Sequence, residues 1–137
     1  MDIVGPFNES LQSADHDMWI RLSEIGDFAY SAKPMFGYRQ HPGQISSRRR
    51  QWEDGFDILR GVEARGYYTS AEIRMRRAVL HYRLALHDRF CGAYLSMIGH
   101  GMLSVIHDPL RSLAMMKGFA LGLFSKTAWR RLGALFR

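Results

Sequence analysis

A chain of 137 residues has room for one domain, with or without appended helices, and its 47% hydrophobic and 23% charged content excludes disorder throughout. A single cysteine, Cys91, excludes an internal disulfide framework and a Cys-based zinc site, and fits a reducing compartment. The formal charge of +6 is uneven. Residues 1–64 carry seven Lys/Arg against ten Asp/Glu, whereas residues 65–137 carry twelve against three. The basic second half is expected to face something anionic or to be a solvated helix face.

In chain order, Met1 to Val4 shows no basic and apolar leader, and its Ile3-Val4 pair reads as the tail of an element. Gly5-Pro6 is a turn signal, and Phe7 and Leu11 offer side chains to a core. Ser13 is a candidate N-cap, with Asp15 and Asp17 in the first turn, where negative charge meets the positive end of the helix dipole. Trp19, Ile20, Leu22 and Ile25 make one apolar face, with Trp19 and Ile20 expected in the core, and Gly26 stops the helix. Asp17 and Arg21 stand at i,i+4, the spacing of an intrahelical ion pair.

Phe28 to Ser31 and Met35 to Tyr38 are short and aromatic, which predicts two strands around a Lys33-Pro34 turn. His41 to Gln44 is then a loop, and Ser46 or Ser47 caps a helix to about Arg60, with Gly61 and Gly66 bracketing a break. Thr69-x-x-Glu72 has capping-box spacing and opens a helix to Phe90. An apolar stretch from Cys91 to Ile106 follows, with Cys91 expected to be buried. Pro109 opens a further helix to about Leu123, and Ser125 caps a basic one from Lys126 to Phe136. No apolar run reaches the roughly 18 to 20 residues of a membrane span, but residues 110–137 have the mixed apolar and basic pattern of a segment lying on a membrane surface. His16, His81, His87, His100 and His107 have no spacing that converges on a metal.

Several blocks in residues 5–46 carry a resemblance. They are Gly5-Pro6-Phe7-Asn8-Glu9-Ser10-Leu11, Ala14-Asp15-His16-Asp17, Trp19 with Arg21-Leu22, and Tyr38-Arg39-Gln40-His41. In order and spacing this stretch resembles the C-terminal end of the catalytic domain of family 2 glycosyltransferases of the GT-A fold. The resemblance implies a mainly α chain with a short β hairpin: residues 1–47 as the end of an α/β, Rossmann-like GT-A domain, and residues 48–137 as a helical, basic extension. It implies inverting transfer of a sugar from a nucleotide-sugar donor to a glycan or lipid-linked acceptor. Asp15 would be the catalytic base, His41 a ligand of a divalent cation (Mn²⁺ or Mg²⁺), and Arg39, Asp17 and Trp19 lesser contacts to substrate or phosphate.

Two positions depart from the pattern: Ala14 stands where the family usually has Glu, and Asn8 where it often has Asp. The family's donor-binding half, with its Asp-x-Asp motif, would precede residue 1, so the chain alone would be inactive. Asp15-x-Asp17 opens a helix at the base position and is not that motif. The Gln-x-x-Arg-Trp of processive members has no counterpart around Trp52. The expected location is cytoplasmic, peripheral on the membrane face. The rival reading is a small basic helical module that binds a membrane surface, a partner protein or nucleic acid. No helix-turn-helix or RNA-binding signature supports the nucleic-acid form.

Overall fold

A computed structural model describes residues 4–39, 41 and 48–123, with the side chains of the last helix described as far as Met116. The described residues form five helices and no strand: α1 (Ala14–Ser23), α2 (Arg50–Arg65), α3 (Ser70–Phe90), α4 (Tyr94–His107) and α5 (Pro109–Leu123). The chain divides into two compact units, Met1–Tyr67 and Tyr68–Arg137.

The expected β hairpin, and with it the α/β fragment, is not there. Residues 27–39 run as irregular backbone, exposed throughout, with Tyr30, Met35 and Phe36 each more than 80% exposed. A strand is stable only when a neighbour takes its N–H and C=O groups and one face is buried, and a lone two-stranded ribbon is marginal in water. High β-propensity in these aromatics reports a fit to a half-buried sheet, and these residues meet no sheet.

In the first unit polar anchors replace a sheet. The Asp54 side chain, fully buried on α2, accepts the backbone N–H groups of Gln12 (2.6 Å) and Ser13 (3.1 Å) through Oδ2, and Arg50 Nε lies 2.8 Å from its other oxygen. Ser13 does occupy the N-cap of α1 but makes no side-chain cap bond; a carboxylate more than forty positions away binds the turn instead. At the other end of α1, Glu24 takes a two-bonded ion pair from Arg65 in the last turn of α2 (2.5 and 3.0 Å). Buried Leu11, Ile58, Leu59 and Val62 supply the apolar contribution. Trp19, expected in the core, is 58% exposed. Gly61 lies inside α2, not at a break, and the helix ends at Gly66, whose φ of 74° is a left-handed cap that favours glycine.

The second unit is built on its capping box. Thr69 Oγ1 accepts the Glu72 N–H (3.3 Å) and the Glu72 carboxylate accepts the Thr69 N–H (2.8 Å), as the spacing predicted. α3 and α4 pack as an antiparallel pair, because their polar contacts step outward from the turn at Gly92: Asp88 with Ser96, His81 with His100, then Ala78 with Ser104. Ile73, Ala78, Leu80, Leu84 and Ala85 of α3 form the buried apolar layer. Asp108 caps α5 through the Arg111 N–H, next to Pro109, whose missing N–H costs nothing at a first helical position. Buried Ser104 donates to the Ala78 carbonyl (2.9 Å), and Ser112 donates to the Ser104 carbonyl (2.8 Å), locking α5 onto the pair. Cys91, expected to be buried, is exposed. The basic helix expected at 126–136 lies outside the described residues.

Candidate functional site

The two N-terminal aspartates of α1 have separate environments. Asp17 is buried and accepts from Arg21 Nε at 3.0 Å. The Arg21 guanidinium also donates to the Val4 carbonyl and, at 2.9 Å, to the Pro6 carbonyl. Asp17 therefore holds the chain entering the unit against α1, by the ion pair that the spacing predicted. Asp15 is exposed, and among the described residues its carboxylate accepts only the N–H of His16 (2.8 Å). It sits in the first turn, at the positive end of the helix.

Arg39 and His41 lie at the far end of the irregular 27–39 segment, both exposed, and residues 42–47 of the same block fall outside the described residues. The structure does not bond Asp15 to either of them. Among the described residues no group of three or more His, Cys, Asp or Glu side chains is placed to hold a metal ion. His41 is the residue here that the resemblance assigns to a divalent cation, whose other ligands it places in the donor-binding half, and no step below runs through a metal.

Sequence spacing missed a cluster of three histidines in the second unit. His81 Nδ1 on α3 and His100 Nδ1 on α4 lie 3.0 Å apart, one imidazole N–H donating to the other ring. The His107 ring stacks parallel to His81, with ring centres 5.6 Å apart. Burial pushes the His81 pKa down to about 4, helped by His100, His107 and Arg77. His107 is lowered too, by burial first and then by Arg77. The His81 ring is thus kept neutral at ordinary pH. The usable signal was the i,i+7 spacing of His100 and His107, which puts both on one side of α4.

The same unit carries an apolar groove of about 660 Å³ along α4, walled by Leu86 and Arg89 of α3 and by Met97, Gly101 and Met102, with Met116 of α5 at its edge. No described helix is long and apolar enough to cross a membrane. No family model, curated protein or solved structure matches the chain.

Proposed function

We propose that this chain supplies the acceptor side of an inverting sugar transfer from a nucleotide-sugar donor to a hydroxyl of a glycan or lipid-linked acceptor, as in family 2 glycosyltransferases. The observation that carries this reading is the contrast between Asp15 and Asp17. Two positions apart, one carboxylate is buried and committed to Arg21, while the other is exposed at the start of α1. An acceptor hydroxyl is a poor nucleophile until a positioned base takes its proton. In this reading the Asp15 carboxylate receives that proton as the acceptor oxygen bonds to the anomeric carbon. The bond from that carbon to the diphosphate oxygen breaks on the opposite face, the nucleoside diphosphate leaves, and the configuration inverts. Arg39 offers a fixed positive charge suited to phosphate.

The test is a graft. Residues 5–46 replace the matching segment of an active family 2 transferase, and sugar transfer is followed with the parent's own donor and acceptor. The graft retains transfer, and Asp15→Asn within it lowers kcat by about a hundredfold or more, the usual contribution of a positioned base. A folded graft that transfers equally well with Asp15→Asn removes Asp15 from the chemistry and the reading with it.

A further inference from the structure

α4 contains no charged residue, and its outward side is apolar. Leu95, Ile98, Met102 and Ile106 recur at steps of three, four and four, which places them on one face, and all four are exposed, Leu95 to 89% and Ile106 to 69%. α5 follows directly, with Leu110 84% exposed in its first turn and Leu113 half exposed. The buried Ser104 marks the opposite side of α4, turned to α3. The hairpin therefore turns the Ser104 side of α4 to its own core and leaves Leu95, Ile98, Met102 and Ile106 exposed, next to the groove.

The charges of the unit say what such a face meets. Residues 68–137 hold eleven Lys/Arg against three Asp/Glu, and each of those carboxylates is engaged within the fold. Glu72 is taken up by the Thr69 capping box, Asp88 is buried and accepts from Ser96 Oγ at 2.5 Å, and Asp108 caps α5 and lies 4.0 Å from Arg111. Arg89 at the groove and Arg111 beside Leu110 put cations beside the apolar residues. An apolar face with Arg89 and Arg111 beside it, in a unit whose three carboxylates are engaged within the fold, matches an anionic bilayer, which takes the side chains among its acyl chains and the guanidinium groups at its phosphates.

We infer that the outward face of α4, with the first turns of α5, docks on an anionic membrane surface. The helices lie on the bilayer and do not cross it. This docking is independent of sugar transfer, and its test contains no sugar.

The full chain is floated with vesicles of phosphatidylcholine alone and of equal parts phosphatidylcholine and phosphatidylglycerol. The expected result is binding to the phosphatidylglycerol vesicles that weakens with added salt, little binding to phosphatidylcholine alone, and a loss of at least tenfold in Leu95→Glu/Ile106→Glu. Helix content is checked by circular dichroism. If the double variant unfolds, Leu110→Glu in the exposed first turn of α5 takes its place. Failure of the wild type to float with anionic vesicles overturns the inference, as does equal binding by the folded variant. So does self-association in light scattering that the same variant abolishes while vesicle binding is absent, because the occupant is then a second copy.

Discussion

In the first unit charged side chains fix backbone that has no regular partner; in the second, regular helices satisfy their own backbone and are fixed to one another by packing and by short hydroxyl and imidazole contacts. Asp54 and the Asp17–Arg21 pair bind the stretch from Val4 to Ser13, whose N–H and C=O groups have no ladder to enter. Buried backbone groups must find partners somewhere, and before α1 the buried Asp54 carboxylate supplies them. The second unit, free of that demand, spends its apolar side chains on a core and has enough left to cover one outer face.

The sharpest break of this comparison is Asp54→Ala. It removes the acceptor of two backbone N–H groups and leaves Arg50 without its buried partner. The expected loss is about 3 kcal/mol in urea unfolding, with faster hydrogen exchange at Gln12 and Ser13. Asp54→Asn keeps one acceptor oxygen and loses less. An Ala variant as stable as the parent would show that the turn before α1 finds other partners, and that the first unit is not held by charge.

The second unit responds to pH instead. His81 has a folded pKa near 4 against an ordinary value of 6.5. Between those values the unfolded chain binds more protons than the folded one, so stability is complete above about pH 6.5 and declines as the pH falls toward 4. The ring is only half-buried, and screening by solvent reduces the expected loss to about 1 kcal/mol. Urea midpoints measured across that range fall with acidity in the parent and fall less in His81→Asn. Equal slopes in the two proteins would place the acid sensitivity elsewhere.

These two anchors mark the limit of what the sequence discloses. Local signals were legible: the Thr69 capping box, Pro109 at a helix start and the Asp17–Arg21 spacing all act over four residues or fewer. Asp54 reaches back over forty positions, and nothing near it announces that its partner is the N-terminus of another helix. The aromatics at 28–38 misled for a related reason. Their propensity states what they suit, and strand formation depends on a neighbour that no local pattern contains. Of the candidate site, the Asp17–Arg21 ion pair was readable from its i,i+4 spacing. The histidine cluster depends on the pairing of α3 with α4, which spacing along one helix cannot supply.

Ser104→Ala tests the packing side on a smaller scale. It removes the donor to the Ala78 carbonyl and the contact with Ser112, 2.8 Å away, at an expected cost of about 1 kcal/mol. Ser112→Ala costs about the same, and the double variant loses less than the sum because the two hydroxyls are in contact. Additive losses would mean that each serine works alone and that α5 is held by its apolar contacts.

The smallest expected effect bears most directly on function. Asp15 is exposed, and among the described residues its carboxylate accepts only the adjacent His16 N–H. Asp15→Asn therefore gives up only a favourable interaction with the helix dipole, under about 0.5 kcal/mol, and the urea midpoint of the chain is expected to stay close to that of the parent. Such near-silence would separate the two aspartates of α1 and would leave Asp15 without a structural duty, as the proposed role of base requires. A loss of about 2 kcal/mol or more, the scale of a missing buried partner, would class Asp15 with Asp54 as an anchor and remove the physical ground for assigning it the role of base.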